Sequence, residues 1–233
     1  MSEKRDDERK LDRRVNSSLV AATEHRVLVA ITTHLPRWVR PNHLTGLGVF
    51  GAIVVMIGYQ LSNSAETWLW LSNLGLVLHW LGDSLDGTLA RQRAMERHRY
   101  GFYIDQVIDT VCSLIIALGA GFCFAIRLDL ALLVLIIFQM LSIQLSVRAI
   151  VDREFHVAAG RLGPTEMRLG MLTMNLAIMA FGAPNISIFG TRMSWVDLLM
   201  LITSVGLLLL FLYQMHIHLV RLNIEDPEPQ GPA

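Results

Sequence analysis

Apolar positions along the chain gather into six long runs separated by short polar stretches, at about 44–61, 68–90, 102–126, 130–150, 164–182 and 195–220. Each run meets or nearly meets the roughly 20 residues a helix needs to cross the hydrocarbon core. None shows the strict alternation of a half-buried strand. The fifth run is the most polar, with Glu166, Arg168 and Asn175 inside it. No internal repeat or low-complexity segment interrupts the series.

The flanks follow other patterns. Residues 1–16, MSEKRDDERKLDRRVN, mix both signs with almost no apolar content and read as a disordered polar tail. Over 17–40, Leu19, Val20, Val27, Leu28 and Ile31 alternate with Glu24, His25 and Arg26 at near-helical spacing. That stretch is too polar to span and predicts an amphipathic interfacial helix. It ends in a hinge of Pro36, Arg37, Trp38 and Arg40, with the indole at headgroup depth. Residues 223–233, with three prolines, read as a second disordered tail. The predicted fold is therefore an all-α integral membrane protein. Its six transmembrane helices fill one domain over 41–222, preceded by the interfacial helix.

Composition agrees with this: of 233 residues, 53% are hydrophobic and 17% charged. No early apolar run ends in a small-residue cleavage site, so no signal peptide is expected. Cys112 and Cys123, eleven helical residues and roughly 16 Å apart, are too distant for a disulfide and read as small packing residues. A net charge of zero conceals segregation. The N-terminal cluster, Arg91, Arg93, Arg97, Arg99, Arg148, Arg153, Arg161 and Arg221 fall on one side, with Arg127 and Arg192 on the other. Positive charge favours the cytoplasmic side. An even number of spans with both termini in the cytoplasm fits, in a membrane such as the bacterial inner membrane.

One stretch breaks the apolar pattern at a high energetic penalty. Four carboxylates, Asp83, Asp86, Asp105 and Asp109, lie at the ends of the second and third runs, and ionisable groups there mark function by default. Asp83, Asp86, Gly87 and Ala90 share one helix face, as do Gly101, Asp105 and Asp109. The loop between is short, so the two helices are expected to be antiparallel neighbours with converging carboxylates. Uncompensated, the four would repel one another. Divalent cations remove that penalty, and hard oxygen donors without a Cys or His cluster favour two Mg²⁺ or Mn²⁺ ions over zinc. Such a pair, about 3.5–4 Å apart, suits in-line displacement at phosphorus. Gly87 and Ala90 leave room for a ligand, and Arg91 offers a fork for phosphate oxygens.

The pattern D-x-x-D-G-x-x-A-R, then G-x-x-x-D-x-x-x-D, resembles the signature of the CDP-alcohol phosphotransferase family, integral membrane enzymes of phospholipid synthesis. Pro41, Asn42 and Thr45, in P-N-H-L-T, match a second element common there. One departure is visible: nine residues separate Arg91 from Gly101, where eight are usual. The resemblance implies that Asp83, Asp86 and Asp105 ligate paired metals, with Asp109 contributing and acting as general base. It places Asn42, Thr45, Gly87, Ala90, Arg91 and Gly101 along the CDP moiety. The acceptor hydroxyl would attack the β-phosphorus of a CDP-alcohol and release CMP, in a homodimeric enzyme without nucleic-acid partners.

Two branches stay open. CDP-diacylglycerol passes a phosphatidyl group to a small polar alcohol, or a CDP-aminoalcohol passes its headgroup to a lipid alcohol. Gly163-Pro164-Thr165-Glu166 is similar to a motif of choline and ethanolamine phosphotransferases, but Gln106 stands where those enzymes tend to carry His. Arg148, Arg153, Arg161 and Glu166 are the candidates for acceptor or headgroup binding, set against ordinary positive-inside bias and a helix N-terminal cap. His79, four residues before Asp83, fits either a support of the acidic site or a buried, hydrogen-bonded histidine. Two other functions remain: an ion or proton transporter using the acids, and a catalytically silent family member.

Overall fold

The computed structural model describes residues 21–152, 164–184, 186–188 and 191–227, and side chains from Arg26 onward outside the β-hairpin. Seven α-helices occur among them: α1 Ala21–His34, α2 Pro41–Leu61, α3 Leu69–Gln92, α4 His98–Gly121, α5 Leu128–Asp152, α6 Pro164–Phe181 and α7 Trp195–Glu225. A 3₁₀ turn, Glu66–Trp68, leads into α3. The expected loop after α6 holds a small antiparallel hairpin instead, Ile186–Ile188 against Thr191–Met193, with Ser187 opposite Arg192. Two three-residue strands are too short to leave an alternating pattern in the sequence. The tail expected at 223–233 starts too early, because α7 continues through Asn223 and Ile224 to Glu225, carried on by the helix's own hydrogen bonding. The tail expected at 1–16, residues 228–233 and the start of the interfacial helix lie outside the described residues.

Among the described residues, four helices are long and apolar enough to cross a membrane: α2, α4, α5 and α7. α3 has the length, at 24 residues, but Asn73, His79, Asp83, Asp86 and Arg91 lower its hydropathy. α6 is only 18 residues and carries Glu166, Arg168 and Asn175. Large apolar side chains such as Phe50, Ile57, Ile136, Ile143, Ile202 and Leu209 point outward and are exposed, a surface suited to hydrocarbon. The chain is an integral membrane protein.

α2 is the central helix, packed against both α3 and α4, while α6 leans on α3 and α5 pairs with α7. The tightest contact is α2 on α3, and glycine is the reason. A Cβ at Gly51 would collide with the His79 amide, one at Gly82 with the Gly48 amide, and one at Gly75 would stand 2.5 Å from the Val55 amide. Small residues let membrane helices approach backbone to backbone. Next to this seam lies the main core, with Ala52, Val55, Tyr59, Leu76, Cys112 and Ile178. α1 buries Leu28 and Thr32 on one face, with Ile31 partly covered, and exposes Arg26, Thr33 and His34 on the other. Its apolar face joins Leu44, Leu85 and Leu89.

Candidate active site

The glycine seam ends at the acidic stretch. Gly82 fits against Gly48, which brings the next turn of α3, with Asp83 and Asp86, alongside the first turns of α2. There Thr45 donates its hydroxyl to Asp86 Oδ2 at 2.6 Å, and the Gly87 amide donates to Asp86 Oδ1 at 2.6 Å. The two sequence elements singled out for chemistry, P-N-H-L-T and the acidic motif, thus meet at a charged hydrogen bond. Asn42 donates to the Tyr100 hydroxyl across the mouth of the site at 3.3 Å, and the Arg97 guanidinium stacks 4.1 Å from the same ring. Arg91 is exposed, with one nitrogen 3.3 Å from the Thr88 hydroxyl. Gly87, Ala90 and Gly101 are half-buried, and nothing lies within 4 Å of where a Gly101 Cβ would stand.

The carboxylates of α3 and α4 do approach one another. Asp109 hydrogen-bonds Asp83, and Asp105 is an electrostatic neighbour of both Asp86 and Asp109. The helices carrying them are not close neighbours, contrary to the expectation from the short loop. Both pack on α2, and α3 and α4 barely touch directly. The physical reason is the central helix, which packs against both and stands between them along most of their length. What results is a cleft with acidic walls.

Arg168, on α6, was not among the residues expected to act here. It reaches Asp83 Oδ2 with Nη2 at 2.6 Å and is largely shielded, at 13% exposure. The same Nη2 lies 3.3 Å from His79 Nε2, while His79 Nδ1 lies 3.0 Å from the Gly48 carbonyl. A carbonyl only accepts, so the ring proton sits on Nδ1 and Nε2 offers its lone pair to Arg168. His79 thereby fits both earlier readings, buried and hydrogen-bonded, and a support of the acidic site. The one sequence signal for Arg168 was a cation lodged in an apolar run, which marked only a poor span.

Of the acceptor candidates, Arg148 stands one helical turn from Asp152 on α5. Its Nε lies 3.6 Å from Asp152, which also receives Arg221 of α7 at 2.5 Å. The Asp152–Arg221 pair ties α5 to α7, with Arg148 beside it. Glu166 is half-buried in the first turn of α6, two residues from Arg168. Arg153 and Arg161 lie outside the described residues. Gln106, beside Asp105, accepts a hydrogen bond from Ser146 of α5 at 2.7 Å and ties α4 to that helix.

Among the described residues, no three of His, Cys, Asp or Glu enclose a metal position as they stand. The donor set nevertheless fits a hard divalent cation. It offers carboxylate oxygens from two helices, and two acids in hydrogen-bond contact need a proton or a cation between them.

Comparison with known proteins agrees with this geometry. Over 102 residues the chain is 32% identical to cholinephosphotransferase 1 of Danio rerio, a match covering 41% of this chain and 26% of that protein. The chain therefore spans about a quarter of the length of that relative. The model of the CDP-alcohol phosphatidyltransferase family matches residues 38–210, from the hinge before α2 into α7 and across every residue of the acidic cleft, and the chain belongs to that family.

Proposed function

We propose that the chain transfers a substituted phosphate group from a CDP-alcohol to an acceptor hydroxyl and releases CMP, at the membrane face carrying the acidic cleft. The observation that carries this reading is the meeting of Asp83, Asp86, Asp105 and Asp109 at one end of the bundle, with Thr45 of the P-N-H-L-T element bonded to Asp86. Asp83, Asp86, Asp105 and Asp109 would hold two divalent cations, Mg²⁺ or Mn²⁺. Bound there, the ions supply charge neutralisation for the pyrophosphate and the departing CMP. Asn42, Thr45, Gly87, Ala90, Arg91 and Gly101 line the space for the CDP moiety.

Asp109 takes the proton from the acceptor hydroxyl. The oxygen attacks the β-phosphorus and forms the new P–O bond. The bond from β-phosphorus to the bridging oxygen breaks, and its electron pair leaves on CMP. Of the two donor classes, the likeness to a cholinephosphotransferase favours a CDP-aminoalcohol, with a lipid alcohol as acceptor. Six spans, cytoplasmic termini and a homodimer belong to the same proposal. A transporter would want its acids at mid-membrane between related halves, whereas these stand at helix ends.

The test is CMP release by the purified protein in liposomes, offered CDP-choline, CDP-ethanolamine or CDP-diacylglycerol in turn with matching acceptors. Asp109→Asn should lower release by about a thousandfold, within the roughly 10²–10⁴ range typical of a lost general base, with helix content unchanged. Chelation of divalent cations should abolish release, and Mg²⁺ or Mn²⁺ should restore it. Full CMP release by Asp109→Asn would sink the mechanism.

A further inference from the structure

The acidic cleft contains a cation of its own. Arg168 Nη2 stands 2.6 Å from Asp83 Oδ2, and the pair is partly withdrawn from solvent, at 13% and 28% side-chain exposure. The contact is held from behind. The Gly48 carbonyl fixes His79 through Nδ1, and His79 Nε2 receives Arg168 at 3.3 Å. Gly48 itself is fixed because the Gly82 backbone presses on it. The guanidinium is therefore aimed at Asp83 by a chain of contacts running back into the helix seam. Asp83 meets Asp109 on its other approach.

A latch between α6 and α3 would account for an ion pair alone. It does not account for the charged partner on α3 being a carboxylate of the acidic cluster, with His79 beside it. A divalent cation bound to Asp83 would stand within a few ångströms of a guanidinium in a shielded site, where like charges repel strongly. One of the two has to yield.

We propose that Arg168 is a built-in competitor for the divalent cation at Asp83, a positioning residue whose guanidinium must swing off that carboxylate before the cation binds there. This rests on the divalent-cation reading given above. Arg168 then sets the cation affinity of the cleft and keeps the acids from repelling one another while cation is scarce. Its removal strengthens cation binding, the opposite of what loss of a supporting residue does.

The experiment measures Mn²⁺ binding directly, by calorimetry on the full chain in detergent without nucleotide. Arg168→Gln should bind Mn²⁺ about ten- to a hundredfold tighter than the unchanged protein, the range expected for loss of one charged hydrogen bond. In thermal unfolding, Arg168→Gln should melt lower without Mn²⁺ and recover most of the deficit with it, because a ligand bound only to the folded state stabilises it. Arg168→Met, whose flexible apolar chain fills similar volume, carries the same expectation if the Gln variant does not fold. Equal or weaker Mn²⁺ binding in the variants, or a melting deficit that Mn²⁺ leaves in place, makes Arg168 a structural latch and overturns the proposal while the transferase reading stands. If the unchanged protein and both variants all fail to bind Mn²⁺, the divalent-cation reading falls and this inference with it.

Discussion

At the scale of single residues, the cleft is a set of carboxylates each given a different companion. Asp86 takes a hydroxyl and an amide, Asp83 takes a guanidinium, and Asp109 shares a hydrogen bond with Asp83. The Thr45 hydroxyl is the one neutral side-chain donor among these partners, so its removal tests orientation without altering charge. Thr45→Val should lower CMP release by about tenfold, given roughly 1.5–3 kcal/mol for a hydrogen bond to a charged group. Thr45→Ser, which keeps the hydroxyl, should stay near the unchanged rate. Equal activity in Val and Ser variants would show that Asp86 is placed without Thr45. The acids were legible in the sequence because their spacing of three and four residues is a local, helical relation. Arg168 was not, because its partner lies 85 residues away on another helix and only tertiary packing brings them together.

At the scale of elements, two joints hold the site, and neither announces itself in the hydrophobic pattern. The first is the α2–α3 seam, where Gly82 and Gly48 meet backbone to backbone. Periodicity finds which positions are apolar, but not which must lack a side chain. Gly82→Leu should force the helices apart, lowering both thermal stability and CMP release. Gly206→Ala on α7, with nothing within 4 Å of the added Cβ, should leave both unchanged. Comparable melting of the two variants would contradict the seam. The second joint is the end of α3. Ala94 has φ of 52°, the Ala94 amide donates to the Arg91 carbonyl at 3.2 Å, and the Met95 amide donates to the Ala90 carbonyl at 2.8 Å. This pair of bonds is the Schellman arrangement, which prefers glycine at the left-handed position. Ala94→Gly should relieve about 1 kcal/mol of strain and raise the melting temperature by roughly 2–4 °C. A lower melting temperature would mean the turn is not left-handed in the membrane-embedded protein. Just before it, Arg93 donates to the Leu35, Pro36 and Val39 carbonyls at 2.8, 3.1 and 2.7 Å, pinning the α1–α2 hinge to this helix end.

At the scale of the molecule, the polar contacts sort the loops into two ends. Asn63, after α2, donates to the Phe122 carbonyl after α4 at 2.9 Å, and Ser194, before α7, donates to the Ala125 carbonyl at 3.3 Å. Trp195 reaches back to the Gly182 carbonyl after α6 at 2.8 Å. The turns after α2, α4 and α6 therefore share one end. The Arg93 clamp, the Asn42–Tyr100 bond and the Asp152–Arg221 pair occupy the other, together with the acidic cleft. Alternate loops at opposite ends are what a bundle of antiparallel helices requires, and four of the described helices are long and apolar enough to cross a membrane. Arg91, Arg93, Arg97, Arg99, Arg148 and Arg221 all belong to the cleft end, and the positive-inside rule predicts that this end faces the cytoplasm. Two exposed glutamates report on this directly, because Glu66 lies in the turn before α3 and Glu96 in the loop after it. The native Cys112 and Cys123 are buried and should stay silent to a membrane-impermeant maleimide. Glu66→Cys should label in intact cells, whereas Glu96→Cys should label only after the membrane is opened. Reversal of the two would invert the protein in the membrane, and labelling of both from the same side would mean that α3 does not cross. With Glu96 inside, the cleft would face the compartment that holds soluble nucleotides, and the proposed CDP-linked headgroup would reach Asp109 without passing through the bilayer.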